Sequence, residues 1–195
     1  KVHALDGAGL TQKSVTGAKP AENAIATGPQ DFELVADGID FTVANGHTLQ
    51  HAVTSGPAHI TIKQGQRSSA SSAQGTPEER TVVTAGKFNA EFASSDGRNH
   101  LTNLHGAPNA RVVNSTSGEP DRVSTSDTVD AAFLSPGGIE AVTQQGNVVY
   151  SDGKNPDKKM QAWASSARYT PADQLLVLTG NPRLASGGMA TTANT

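Results

Sequence analysis

The 195-residue sequence contains no cysteine, so it can form neither a disulfide framework nor a thiolate metal site. It has no apolar run of about 18 residues, and therefore no segment typical of a membrane-spanning helix. The net charge of −3 argues against the basic face that nucleic-acid binding needs. Aromatic residues make up only 4% of the chain. The apolar surface is thus spread thinly, as on one face of each strand in a long sheet.

One short pattern recurs along the chain, in which an apolar run ends at a glycine and a second apolar run follows. The glycines in question are Gly7, Gly56, Gly106, Gly146 and Gly180. Upstream of each of the last four comes a run that ends near an aromatic residue, and then turn residues such as those at 45–46 or 96–97. Asn-Gly and Asp-Gly pairs supply the positive φ angles that tight turns require. Each unit is therefore predicted to be a β-hairpin.

The runs before the turns alternate between apolar and polar residues. Phe88, Ala90 and Phe92 fall on one face, and the runs 129–133 and 39–43 repeat the pattern. Such alternation is typical of strands with one buried and one wet face. No helix is predicted, because the alanine-rich stretch 161–167 also lies just before an aromatic residue and a turn. The sequence therefore predicts an all-β meander of hairpins.

Two of these units resemble a known family. MQAWASSARYTPADQLLVLTGNPRL and STSDTVDAAFLSPGGIEAVTQQGNVVY are similar to the OstA-like repeat of the lipopolysaccharide-transport proteins LptA, LptC and the N-terminal domain of LptD. The shared pattern is a strand ending in Ala-x-Tyr/Phe, a turn, and then Leu-x-Leu-x-Gly-Asn before another apolar strand. It fits Ala167 to Tyr169 with Leu176 to Asn181, and Ala132-Phe133 with Gly146 to Val148. The match is good over residues 80–188 and looser over 31–63.

The resemblance implies an open, twisted β-jellyroll that forms a trough for lipopolysaccharide acyl chains. It also implies a periplasmic, non-enzymatic transport module without a cofactor. Its partners would be lipopolysaccharide or a similar glycolipid, and other Lpt-type proteins or a second copy joined edge to edge, with no nucleic acid. We expect residues 1–195 to be a single OstA-like region cut from a longer chain. The segment 64–79 is expected to be a flexible loop, and 11–30 a long connection.

The acyl-chain groove is predicted from the aromatic residues that recur at one phase of the alternation, just before each turn. Stacked hairpins would set these rings and the neighbouring aliphatic side chains in a line along the sheet. The predicted lipid-binding residues are Phe41, Phe88, Phe92, Val129, Phe133, Ile139, Tyr169, Leu176 and Leu178.

Other chemistry has weaker support in the sequence. His47 and His51 would need a helix to share a metal ion, whereas on a strand they lie about 13 Å apart. Asp127, Asp130 and Glu140 suit the wet faces of strands better than a carboxylate pair for glycoside cleavage.

The chain's single tryptophan, Trp163, and Tyr169 are expected to fill the inner face rather than to stack on sugar rings. The alternative interpretation of the whole chain is a structural β-repeat protein, either an adhesin or a carbohydrate-binding module. Such a protein would have a closed dry core and aromatic residues outside.

Overall fold

The computed structural model describes residues 1–12, 30–64, 79–95, 98–134, 138–152 and 159–193. Within these ranges all regular structure is antiparallel β-strand, so the predicted all-β class is confirmed. No helix of the described residues is long and apolar enough to cross a membrane. The cores of the predicted loops, residues 13–29 and 65–78, lie outside the described residues. The strands are β1 (Val2–Gln12), β2 (Gln30–Ala44), β3 (Thr48–Gln64), β4 (Glu79–Ala85), β5 (Lys87–Ser95), β6 (Arg98–Ala107), β7 (Ala110–Thr116), β8 (Arg122–Ser126), β9 (Thr128–Phe133), β10 (Ile139–Asp152), β11 (Met160–Thr170), β12 (Leu175–Thr179), β13 (Arg183–Ser186) and β14 (Met189–Thr192).

The strands form two leaves that share the long strands β1, β2, β3, β10 and β11. In leaf 1, β3 pairs with β5 and the order continues through β6 and β9 to the first part of β10. In leaf 2, the far part of β3 pairs with β4 and the order continues through β7 and β8 to the last part of β10. Likewise, β11 pairs with β12 in leaf 1 and with β13 in leaf 2. This antiparallel arrangement is consistent with the all-β OstA-like fold that the resemblance implies.

The hairpin turns between neighbouring strands follow the predicted chemistry. Asn45 and Gly46 have φ angles of 52° and 78°, and the His47 amide donates to the Ala44 carbonyl across the β2–β3 turn at 3.3 Å. The turn between β11 and β12 spans residues 171–174 and closes with the Gln174 amide donating to Pro171. The alanine-rich stretch 161–167 lies within β11, so its assignment to a strand is confirmed.

The recurring glycines mark the places where the chain passes from one leaf to the other. Gly56 and Gly146 lie inside the continuous strands β3 and β10 and adopt positive φ angles of 72° and 75°. The pairing of β10 with β11 shifts register between Gln145 and Val148, at the same bend. Asp127 packs against Gly146, since a Cβ atom there would lie 2.1 Å from the Asp127 Oδ2. A side chain at this bend would therefore clash as well as strain the backbone.

The two leaves pack against each other through one apolar core. Leu34 and Ile60 of leaf 2 belong to the same buried cluster as Ile39 and Phe88 of leaf 1. Phe88 is fully buried, and a Cβ on Gly106 would lie 2.5 Å from its ring. The middle of the space between the two leaves is consequently dry and closely packed.

Candidate functional site: the inner face of leaf 1

The inner face of leaf 1 carries a continuous row of side chains that crosses nine strands. Each member is the direct cross-strand partner of the next, and the row contains one residue from each strand of the leaf. The members are Val2, Phe41, Ala52, Ala90, Leu104, Ala131, Val142, Tyr169 and Leu176. We call this set the long row. All its members are apolar or aromatic, so it forms an uninterrupted apolar track across the leaf.

Exposure changes along the long row. Its middle members Ala52, Ala90 and Leu104 are buried, whereas Val2 at one end is 54% exposed and Leu176 at the other is 43% exposed. Tyr169 beside Leu176 is also exposed. The apolar track therefore reaches solvent at both ends of the leaf and is covered by leaf 2 in between.

All nine predicted lipid-binding residues lie on this inner face. Phe41, Tyr169 and Leu176 belong to the long row itself. Phe88, Val129 and Leu178 lie in the adjacent row, which runs from β5 to β12 through Gly106, Gln144 and Ala167. Phe92 pairs with Leu101, and Phe133 pairs with Ile139 on the far side of the long row.

The nine residues differ in burial. Phe88 and Val129 are fully buried in the core, and Phe41, Phe92, Phe133 and Ile139 are half-buried against it. Only the β11–β12 members, above all Tyr169 and Leu176, stand open to solvent. A ligand can therefore contact the inner face directly at the β11–β12 end. In the middle of the leaf, the two leaves would first have to separate.

The sequence reasoning overlooked the inner face of leaf 2, which is equally apolar near β2. A second row runs from Leu10 through Leu34, Ile60, Val83 and Val112 before it meets Ser124 and Tyr150. The sequence does indicate this apolar face, through the alternation of polar and apolar residues at His59, Ile60, Thr61 and Ile62. Period-two alternation shows which side chains share one face of a strand, but it does not show which of the two leaves the strand belongs to.

Polar groups enter the interior toward β8 and β10. Gln144 is buried and donates to the Ser126 hydroxyl at 3.2 Å, and Ser126 donates to the Thr128 carbonyl at 2.8 Å. Burial raises the pKa of the Tyr150 hydroxyl, the Asp152 carboxylate raises it further, and Arg122 opposes both. The β8–β10 side of the interior is therefore less apolar than the β2–β5 side.

Trp163 does not fill the inner face, so that expectation is wrong. It pairs with Val149 and alternates with the buried Ala162 and the half-buried Ala164, which places its side chain on the outside of leaf 2 at 37% exposure. The inner face of β11 changes parity where the strand passes between leaves, so that Ala167 and Tyr169 point inward beyond the bend. By register Tyr169 lies on the inner face of leaf 1, but it is 41% exposed and stays open to solvent.

The candidate carboxylates are divided between two places. Asp130 and Glu140 line a cavity of about 380 Å³ on the outer face of leaf 1, where His105 Nδ1 lies 2.7 Å from Asp130 Oδ1. Asp127 instead lies at the β10 bend and accepts from the Asn147 amide. Within the part of the chain that the structure describes, no group of three or more His, Asp or Glu side chains could hold a metal ion.

A comparison with protein families gives one match. Residues 21–195 match the model of the LptA/(LptD N-terminal domain) LPS transport proteins. No curated protein and no solved structure matches the chain. The family match covers most of the chain and includes strands β2 to β14, the recurrent glycines from Gly56 onward and the long row from Phe41 onward. The chain therefore belongs to the LptA/LptD N-terminal domain family of lipopolysaccharide-transport proteins.

Proposed function

We propose that this chain is a periplasmic, non-enzymatic module that binds lipopolysaccharide acyl chains on the inner face of leaf 1 and passes them toward the outer membrane. The observation that supports this most is the long row, which is apolar across nine strands and exposed at both ends. The dry middle and the outward Trp163 are features that a structural β-repeat protein would share. Such a protein has no need for an apolar track that opens to solvent, so the exposed ends at Val2 and Leu176 favour transport.

The dimensions and energetics of the long row suit an acyl chain. Nine strands at about 4.8 Å spacing extend roughly 38 Å from Val2 to Leu176. A membrane acyl chain covers about half of the roughly 30 Å hydrocarbon core, or about 15 Å. Transfer of about a dozen methylenes from water to this surface would contribute on the order of 10 kcal/mol. A chain could therefore occupy part of the track and advance along it.

Entry is proposed at the β11–β12 end. Tyr169 and Leu176 are exposed there, and neither belongs to the packed core cluster. The dense packing around Phe88 must open before an acyl chain reaches the middle of the leaf. Binding would then begin at the open end and proceed by separation of the two leaves.

Association with partners is proposed to use the ends of the leaves. Among the described residues, β1 pairs only with β2, β12 only with β11, and β14 only with β13. Strands with a free edge can accept a neighbouring strand through main-chain hydrogen bonds. Joining β1 of one copy or relative to the β12–β14 end of another would align their apolar tracks.

Two adjacent substitutions test lipid binding. Leu176 and Val177 are both 43% exposed, but they point to opposite faces of β12. Leu176→Asp puts a charge on the proposed track and should weaken binding of labelled lipopolysaccharide at least tenfold, because an acyl chain cannot solvate a carboxylate. Val177→Asp adds the same charge outside and should leave binding unchanged. Equal affinity of the two folded variants would contradict the proposal.

A further inference from the structure

A second cavity lies on the outer face of leaf 2, next to the β10 bend. It is an open depression of about 500 Å³, lined by Trp163, Arg183, Val149, Asn147 and Asn181 together with smaller residues. A volume of this size is in the range of small-ligand sites. The inner face of leaf 1 takes no part in it, so the cavity is independent of the proposed acyl-chain track.

Two equivalent bends flank the cavity, and each is a Gly-Asn pair with positive φ angles. The angles are 75° and 49° at Gly146 and Asn147 in β10, and 75° and 55° at Gly180 and Asn181 after β12. The bend at Gly146 is held by the Asp127 amide, and the bend at Gly180 by the amide and the hydroxyl of Ser165. The repeat thus places an asparagine on each side of β11, which carries Trp163 between them.

The cavity combines the flat apolar indole of Trp163 with the Arg183 guanidinium and two asparagine amides. Arg183 is the cross-strand partner of Trp163, and both side chains are exposed. None of the three ion pairs formed by described residues involves Arg183. The Asn147 amide nitrogen donates to both Asp127 oxygens, at 3.2 and 3.0 Å, and its side-chain carbonyl oxygen takes no part in these two bonds. Asn181 adds a second donor and acceptor.

We propose that this outer cavity is a binding site for an anionic sugar. The apolar face of a pyranose ring would pack on the Trp163 indole, as amphipathic aromatic side chains allow. A sugar carboxylate would pair with the planar guanidinium of Arg183, which can donate two parallel hydrogen bonds. The asparagine amides would exchange hydrogen bonds with ring hydroxyls. A neutral sugar would lack the partner for Arg183, and a simple anion would lack the partner for Trp163.

Intrinsic fluorescence reports on this site directly, because Trp163 is the only tryptophan in the chain. Titration with tetragalacturonate should shift or quench the emission with saturation. Maltotetraose, the neutral comparator, should bind at least tenfold more weakly, and inorganic phosphate should give no saturable change. Absence of a saturable response to tetragalacturonate would overturn the proposal. So would equal binding of maltotetraose, or a response to phosphate as strong as that to the sugar acid.

Substitutions of the lining residues, with one matched control, test the role of each side chain. Arg183→Gln should weaken the binding of tetragalacturonate at least tenfold and leave the binding of maltotetraose unchanged. Arg111 lies in the same outer-face row, three strands or roughly 14 Å from Trp163, so Arg111→Gln should change neither. Trp163→Leu removes the fluorophore, and calorimetry should then detect no tetragalacturonate binding. Equal losses in the two arginine variants, or retained binding in Trp163→Leu, would refute the assignment.

Discussion

Substitution of Gly146 by alanine should destabilise the protein through two separable effects. Gly146 has a φ of 75°, and the left-handed region costs a residue with a Cβ atom about 1–2 kcal/mol. The new Cβ would also lie 2.1 Å from the Asp127 Oδ2 and 2.7 Å from its Cγ. Asp127 must move, and its two hydrogen bonds from Asn147 are then lost or lengthened. These bonds are exposed, so we assign them about 1–2 kcal/mol together.

The structure provides a control for the backbone effect alone. Gly118 has a φ of 82°, but a Cβ atom added there would have no other atom within 4 Å. Gly118→Ala should therefore cost about 1–2 kcal/mol, and Gly146→Ala about 2–4 kcal/mol. Urea unfolding followed by circular dichroism measures both values under one condition. Equal free-energy losses, within about 0.5 kcal/mol, would show that Asp127 moves without cost and would refute the steric part of the reasoning.

Three further outcomes are expected. Phe88→Ala should lower the free energy of unfolding by about 3–5 kcal/mol in urea titrations, and Phe92→Ala by clearly less, because Phe88 is fully buried and Phe92 is half-buried. The raised pKa of Tyr150 means that the folded state keeps its proton after the unfolded state has lost it; stability should therefore fall as pH rises above about 10, and Tyr150→Phe should reduce that fall in unfolding curves measured between pH 9 and 11. Light scattering should show particles that grow with protein concentration, since among the described strands β1, β12 and β14 each pair on one side; a strictly monomeric chain at millimolar concentration would contradict edge-to-edge association.

The sequence was sufficient to assign side chains to faces wherever a strand stays within one leaf. In β5, Phe88, Ala90 and Phe92 alternate with exposed or half-exposed neighbours, as period-two patterning requires. The same reasoning assigned all nine predicted residues to one face, because the aromatic residues occur on the leaf 1 side of each hairpin. Local alternation is enough for this, since it depends only on strand geometry.

The sequence was insufficient where a strand changes leaf. Gly56 and Gly146 recur at the correct places, but each lies in an insertion of one extra residue relative to the partner strand. The inner-face parity therefore changes in the partner strands: in β2 it passes from Ile39 to Ala36, and in β11 from Ala167 to Ala164. Trp163 was misplaced for this reason: it lies six residues before Tyr169, which an unbroken strand would put on the same face. A bulge between two leaves depends on the register of neighbouring strands, which a single sequence does not specify.

Burial along the predicted site was also beyond sequence reasoning. Phe88 and Leu176 share the inner face and an apolar character, yet one is fully buried and the other 43% exposed. The difference arises because Phe88 belongs to the buried cluster that also contains residues of β2, β3 and β4, whereas β12 lies at an edge of the described sheet. Coverage of this kind depends on contacts between residues far apart in the chain.

Site-specific photo-crosslinking tests the central claim most directly. A benzophenone amino acid placed at 176 or 177 probes opposite faces of β12 at the same exposure of 43%. The same probe at 92 or 133 faces the interior, and at 87 or 91 it faces outward. Lipopolysaccharide should be captured from 176, and from 92 and 133 once the leaves have separated, but not from 177, 87 or 91. Equal capture from 176 and 177, or none from either, would contradict the assignment of the inner face of leaf 1 as the lipid track.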